Sequence, residues 1–168
     1  MENLNHILRA QAIGYGLCKE WTNGWDMESD AEMLIEKYKK GLDFCIEHDY
    51  PSNAFIEEHF SKEFLLGRHI FVNEHISIDN CVSDTYVIQG SSCVDLVFRK
   101  YAVASVWVRH NSVVNISVRG NARVFVFFFD DSNGVVRQFG DAKVFVKKKS
   151  PRSIIKTEGV VSFKDSTQ

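Results

Sequence analysis

Ala102-Val103-Ala104-Ser105-Val106-Trp107-Val108-Arg109-His110-Asn111 is followed by Ser112-Val113-Val114-Asn115-Ile116-Ser117-Val118-Arg119-Gly120-Asn121, and the two stretches are copies of one ten-residue unit. The period extends in both directions. Small residues recur at Ser92, Ala102, Ser112, Ala122, Ser132 and Ala142. Apolar residues follow two and four places later: Val94 and Leu96, Ala104 and Val106, Val114 and Ile116, Val124 and Val126, Val144 and Val146. The fifth copy keeps Val136 but has Gly134 ahead of it. Turn formers precede most of the small residues: His110-Asn111, Gly120-Asn121, Asp130-Asp131 and Gly140-Asp141. Each unit therefore reads as a tight turn, a small corner residue and a strand. A short fixed period is the signature of a stacked solenoid.

Strand side chains alternate between two faces. Ala102, Ala104, Val106 and Val108 share one face, as do Ala122, Val124, Val126 and Phe128 two copies on; these predict the inward wall. Asn, Asp and Gly suit the turn because they tolerate positive φ. One decapeptide cannot close a coil, so two units per turn, with two facing parallel sheets, is the simplest closure. An antiparallel meander closing into a β-sandwich is the alternative, but a meander has no reason to keep one period through every turn. The fold class is thus α+β: an N-terminal helical segment followed by a short β-solenoid of decapeptides, two strands per turn.

The outward face then divides. Alternate units share a sheet, so one sheet presents Ser105, Trp107, Phe125, Phe127, Phe145 and Lys147, and the other Asp95, Val97, Asn115, Ser117, Val135 and Arg137. The first is aromatic and the second mostly polar. Monomers seldom leave a broad apolar patch in water. Trp107, Phe125, Phe127 and Phe145 are therefore the candidate interface, covered either by the chain's own helices or by another molecule. The phase weakens at both ends. Asp84, Tyr86 and Ile88 fit it loosely, and Pro151 is expected to break the ladder. Residues 153–163 read as a last coil or a capping strand pair.

Residues 1–66 predict a helical cap, with the solenoid over 67–168 packed against it. Leu4, Ile7, Leu8, Ala12 and Tyr15 have helical spacing. Ser29-Asp30-Ala31-Glu32 reads as a capping box. The helix after it carries Leu34, Tyr38, Leu42, Cys45 and Ile46 on one stripe and should end near His48-Asp49, ahead of Pro51. Ser52 can cap a third helix holding Phe55, Ile56 and Phe60. Trp21 and Trp25 read as core.

The chain has 168 residues, 45% hydrophobic and 25% charged, with a net charge of −2. That balance gives no field favouring nucleic acid or an anionic membrane. The run Lys147-Lys148-Lys149 reads as a solvated end. The first twenty residues include Asn3, His6, Arg9, Gln11 and Lys19, which predicts no signal peptide, and no apolar run has membrane-spanning length. The cysteines Cys18, Cys45, Cys81 and Cys93 form no close pair, so buried free thiols in a reducing cytosol are expected and zinc is not.

Sequence motifs for chemistry are few. No Gly-rich phosphate loop, Gly-x-Ser-x-Gly or His-Glu-x-x-His occurs. Glu57, Glu58 and His59 are adjacent and would point apart on a helix. His69 and His75 would share a strand face with Phe71 and Asn73, leaving a two-histidine site sterically open but without a third ligand. Asp130, Asp131 and Asp141 sit at turns, yet His110-Asn111 and Gly120-Asn121 occupy equivalent places, so a calcium-binding roll does not fit. No enzyme activity, catalytic residue, metal or cofactor is expected.

Gly41-Leu42-Asp43-Phe44-Cys45-Ile46, Asp49-Tyr50-Pro51-Ser52, Ile70-Phe71-Val72 and Val106-Trp107-Val108-Arg109-His110-Asn111-Ser112 together resemble an uncharacterised family of small helix-capped β-repeat proteins. That family is encoded on bacteriophages, prophages and mobile elements of gut bacteria. The resemblance spans most of the chain and its motifs define fold, so it implies a setting and carries over no functional residues. The implied function is a non-enzymatic binding or structural protein of a phage or mobile element, in the bacterial cytoplasm or the virion. Its partner would be protein, either self, giving a homo-oligomer, or heterologous. A small cytosolic inhibitor of a host defence protein is the alternative.

Overall fold

Every tenth residue from 90 to 140 adopts a left-handed backbone: Gly90, Lys100, His110, Gly120, Asp130 and Gly140 have φ of 71°, 55°, 58°, 65°, 55° and 60°. Each is the pivot of a corner closed by a turn bond, as from Ala102 N to Arg99 O (3.2 Å) and from Ala122 N to Arg119 O (3.3 Å). The left-handed residue reverses the chain, and the small residue two places later starts the next strand. The computed structural model describes residues 3–167, and they divide into two units between Ser61 and Lys62.

The second unit is the solenoid. Its strands are β1 (Ile70–Val72), β2 (His75–Cys81), β3 (Thr85–Gln89), β4 (Cys93–Phe98), β5 (Val103–Val108), β6 (Val113–Val118), β7 (Arg123–Phe128), β8 (Asn133–Gln138), β9 (Lys143–Lys148), β10 (Ile154–Glu158) and β11 (Val161–Asp165). Odd-numbered strands form one sheet in the order β1-β3-β5-β7-β9-β11, and even-numbered strands the other, β10-β8-β6-β4-β2. Neighbours in each sheet are parallel throughout. Two strands per turn is the closure expected from the decapeptide. The antiparallel sandwich is excluded, because the hydrogen-bonded neighbour of each strand is two strands away in sequence.

The inward positions stack in register: Leu96 with Ile116 and Ile116 with Val136, Val106 with Val126 and Val126 with Val146. All six are essentially without solvent contact. Each such aliphatic side chain contributes about 1.5–3 kcal/mol by leaving water. Tyr86 and Ile88 belong to the same columns, in register with Val106 and Val108, and are fully buried. Their fit is therefore stronger than the sequence reading allowed. The Tyr86 hydroxyl donates to Val82 O at 2.8 Å, which lets a polar ring occupy a core column.

Gly134 breaks the aliphatic column for a steric reason. A Cβ there would lie 2.6 Å from Val114 Cγ2 and 2.8 Å from Phe128 Cε1. The Phe128 ring fills that volume, so this large inward side chain and the missing one at position 134 belong to a single packing solution.

The corners alternate chemically. Those leading into even-numbered strands carry Ser92, Ser112, Ser132 and Ser153, and those leading into β5, β7 and β9 carry Ala102, Ala122 and Ala142. The serine hydroxyls donate to corner carbonyls: Ser92 Oγ to Gln89 O (2.8 Å), Ser112 Oγ to Gly90 O (3.1 Å), Ser132 Oγ to Phe129 O (2.5 Å) and Ser153 Oγ to Asp130 O (3.1 Å). Ser132→Ala should cost about 1 kcal/mol, the usual net worth of such a bond, whereas Ala122→Gly should cost about 1–2 kcal/mol, through backbone entropy and the loss of a buried methyl group. Urea denaturation of the two variants, followed by circular dichroism, measures both.

Pro151 does not break the ladder. The turn takes one extra residue, closes from Ser153 N to Ser150 O (3.3 Å), and β10 pairs with β8 across Ile154–Asn133 through Glu158–Arg137. Proline fits because it lies in the turn, where no ladder donor is required. Residues 153–163 form a last coil.

The first unit contains α1 (Leu4–Gly14), α2 (Lys19–Asn23), α3 (Ala31–Lys40), α4 (Leu42–Glu47) and α5 (Asn53–His59). Three sequence expectations shift. The cap of α3 is Asp30, which accepts from Met33 N, rather than Ser29, whose hydroxyl donates to Asp26 O. The expected second helix is split at Gly41 into α3 and α4. Trp21 is exposed, whereas Trp25 is held by its Nε1 donating to Asn5 Oδ1 at 3.1 Å. Ser52 caps α5 as expected. Leu8, Ala12, Leu34, Tyr38, Leu42, Cys45 and Tyr50 are buried, and the Tyr50 hydroxyl donates to Leu8 O at 2.5 Å. A sixth helix, α6 (Lys62–Gly67), belongs to the second unit and packs on β1. Among the described residues no helix is long and apolar enough to cross a membrane. Cys45 and Cys81 are buried free thiols as expected, but Cys18 and Cys93 are exposed. Cys93 opens β4 at an outward position, where adjacent apolar residues in sequence face the other way.

Candidate functional site

The four aromatic residues singled out from the sequence lie on the outer surface of the odd-numbered sheet in two columns. Trp107 is in register with Phe127 and Lys147, and Ser105 with Phe125 and Phe145. The columns form because β5, β7 and β9 hold the same register, which places outward residues of like phase one strand spacing apart. Phe125 and Phe145 stack with centroids 4.8 Å apart and planes 12° off parallel. Trp107 lies 4.6 Å from Phe127 and stacks nearly flat on Phe129 at 5.8 Å. Trp107 Nε1 donates to Ser105 Oγ at 3.3 Å, and Ser105 Oγ to Thr85 Oγ1 at 3.2 Å.

Burial grades across this face. Ile70 and Val87, in outward register with Trp107, have no appreciable exposure. Trp107 and Phe127 are half-buried. Phe125 and Phe145 remain 36% and 37% exposed. Val103 is exposed beside them, and with Ser83, Asp84, Thr85, Ser105 and Phe125 it lines a wide, shallow recess of about 390 Å³.

The sequence reading missed the charge of this face. Outward positions of β5, β7 and β9 carry Arg123, Lys143 and Lys147 and no carboxylate. Outward positions of the even-numbered sheet carry Asp95 and Glu158 along with Arg137 and Lys156. Arg137 there donates to Glu158 Oε2 (2.8 Å) and Asn115 Oδ1 (2.5 Å). The net charge of −2 averages over two unlike faces. Sorting charges by outward position would have found the difference. Phe125 and Phe145 each cover one ring face of the other, and the edges of such rings carry the positive part of the aromatic quadrupole. A surface of ring edges and ammonium or guanidinium groups suits a partner that carries carboxylates beside aliphatic side chains.

The two histidines that the sequence left sterically open to a shared site, without a third ligand, are not brought together. The chain turns at Asn73 (φ 55°), so His69 precedes β1 in the odd-numbered sheet and His75 starts β2 in the even-numbered one. Asn73 ends the strand that the sequence reading had extended through it. Among the described residues no group of three His, Cys, Asp or Glu is placed to hold a metal. His69 Nδ1 lies 2.5 Å from Asp84 Oδ2, and its ring stacks on Tyr86 at 4.4 Å. A His–Asp pair can activate a nucleophile, but the nearby groups are poorly disposed. Burial, followed by the Cys81 and Asp84 charges, pushes Tyr86 ionisation well above the usual phenol range. Burial likewise pushes the Cys81 thiol up, and a thiol so raised is a poor nucleophile.

No family model, curated protein or solved structure matches this chain.

Proposed function

We propose that this protein is a non-enzymatic binding or structural module that works through protein–protein contacts on the outer face of its odd-numbered sheet. The carrying observation is the stacked, exposed Phe125–Phe145 pair flanked by Arg123, Lys143 and Lys147. A parallel two-sheet coil is a stiff support, so these side chains are presented without the ordering cost that a loop would incur. Aromatic and arginine side chains are the types that dominate interface energies. A phage or mobile-element setting follows from the sequence resemblance, with the bacterial cytoplasm or the virion as the place of action.

The test starts with affinity capture from bacterial lysate using the wild-type chain and the double variant Phe125→Ser/Phe145→Ser, and continues with the recovered protein in purified form. Each substitution removes an exposed ring, so the fold should hold while affinity falls by about 2 kcal/mol per anchor, roughly thirty-fold in Kd. Calorimetry on the purified pair measures it. Equal affinity for wild type and the folded double variant would overturn the assignment of this face.

A further inference from the structure

Phe125 keeps one ring face open. It lies between Ser105 and Phe145 in its column. Its centroid is 4.8 Å from that of Phe145, with planes 12° off parallel, and this matches the strand spacing of about 4.8 Å. The two rings therefore stack along the direction in which the strands are joined. Phe145 takes the face of Phe125 that looks towards β9. The opposite face looks towards β5, where the neighbour in register is Ser105, a side chain too small to cover it. That face is one wall of the shallow recess of about 390 Å³, and Ser83, Asp84 and Thr85 stand on the other side.

The polar groups opposite the ring have defined roles. Trp107 Nε1 can only donate, and it donates to Ser105 Oγ. Ser105 Oγ donates in turn to Thr85 Oγ1, so the Thr85 hydroxyl hydrogen is the outer end of this relay and is directed to whatever fills the recess. Ser83 Oγ accepts from Val103 N at 2.9 Å, which leaves its hydrogen to donate as well. Asp84 is the charged residue of the lining. Its carboxylate takes His69 Nδ1 at 2.5 Å, and the His69 ring is backed by Tyr86. A carboxylate has about four acceptor sites, so Asp84 can hold His69 and a ligand hydroxyl together. The recess thus presents an electron-rich ring face, two hydroxyl donors and one acceptor.

We propose that this recess binds a neutral pyranose sugar, with the C–H side of the sugar ring on Phe125 and its hydroxyls bonded to Asp84, Thr85 and Ser83. Ring C–H groups carry partial positive charge and suit the negative face of an aromatic ring. Sugar hydroxyls both donate and accept, so one ligand edge serves the carboxylate and the two hydroxyls at once. Other ligand classes fail at one of these groups. An anion is repelled by Asp84 and by the ring face. An organic cation suits both, but it offers no acceptor to Thr85 and Ser83, and Arg123 stands beside the recess in register with Val103. A hydrocarbon displaces the water on three polar groups and replaces none of their bonds. The recess is open on one side, so a single sugar ring should bind with a Kd of about 1–10 mM. Phe125 is shared with the protein-contact face, whereas Asp84, Thr85 and Ser83 are not, so this site goes beyond that reading.

Nuclear magnetic resonance titration of the full chain tests it. The probes are the methyl pyranosides of glucose, galactose, mannose and N-acetylglucosamine, each raised to about 100 mM, enough to register millimolar binding. Tetramethylammonium and inorganic phosphate are the controls. At least one pyranoside should bind, shifting the amides of Thr85, Ser105 and Phe125. Phe125→Ala, Asp84→Asn and Thr85→Val should each raise its Kd about tenfold, as the loss of one good contact does, and Phe125→Trp should lower it. Asp84→Asn also loosens His69, so Thr85→Val is the variant that leaves that pair in place, and circular dichroism checks that each is folded. Lys143→Glu, which alters the protein-contact face, should leave the Kd unchanged. No binding by any pyranoside overturns the proposal. So does binding of tetramethylammonium alone, or a pyranoside Kd that is the same in wild type and in folded Phe125→Ala and Thr85→Val. Capture of a protein partner is measured separately, so either idea can fail without the other.

Discussion

Phe128→Ala should lower the stability of the solenoid by about 3–5 kcal/mol, the cost of deleting a buried aromatic ring from a core that cannot fully collapse. Phe128 is fully buried, and its ring lies where a side chain at position 134 would be. Gly134→Val alone should also destabilise, by about 1–3 kcal/mol, because the added carbons meet Val114 and Phe128 inside van der Waals distance. The informative variant combines the two. The valine then enters the space the ring has left, so the double variant should be more stable than the sum of the single losses implies, with a coupling of about 0.5–3 kcal/mol. Urea denaturation followed by the strand signal in circular dichroism measures all three. Strict additivity would show that the ring is not what excludes a side chain from position 134.

Gly120→Ala should cost about 2–3 kcal/mol, and Gly140→Ala about half that. Both glycines are left-handed, with φ of 65° and 60°, so each alanine carries the conformational penalty of about 1–2 kcal/mol. Only at 120 is there a second penalty. A Cβ there would lie 2.9 Å from Lys100 N, a backbone atom of the preceding coil, while at 140 nothing lies within 4 Å. Lys100→Gly should act in the opposite direction. Lys100 is left-handed at 55° without being a residue that favours the conformation, so glycine there should raise stability by up to about 1 kcal/mol. Thermal melts of the three variants check the order. Equal losses at 120 and 140 would mean that the coils are spaced widely enough at that corner to take a methyl group.

Lys100 also marks a limit of what can be read from residues. The corners at His110, Gly120, Asp130 and Gly140 are legible because their turn chemistry is local. The corner at Lys100 has no such signal, and its position follows from the period alone. The same division applies at position 73. Asn73 is left-handed and ends β1, but it stands within a run of strand-forming residues, so His69 and His75 read as one face when they belong to two sheets. Pro151 misled in the other direction. Proline is a local stop signal, yet the stacking of β10 on β8 is a non-local contact strong enough to carry the coil past it with one added residue. Gly41 splits an apparently continuous helical stripe, because spacing at 3.6 residues persists through a glycine that the backbone uses as a cap.

Of the candidate site, its membership was legible and its character was not. Alternation along a strand assigns Trp107, Phe125, Phe127 and Phe145 outward, and the twenty-residue separation of alternate units assigns them to one sheet. Which of them meets solvent depends on what lies over each, and that is decided in three dimensions: Ile70 and Val87 are buried at equivalent outward positions while Phe125 and Phe145 are not.

The sequence by itself determined the solenoid, its two strands per coil, its inward columns and the identity of its aromatic face. These follow from periodicity, and every coil repeats the same local choice of turn, small corner and alternating strand. Only the tertiary structure decided the parts that the period does not report: the ring that empties position 134, the serine corners that donate to corner carbonyls and the cationic setting of the exposed phenylalanines. They depend on side chains that meet across a corner, as Phe128 and Gly134 do, or on neighbouring strands about twenty positions apart, and alternation along a strand does not report whether such groups meet.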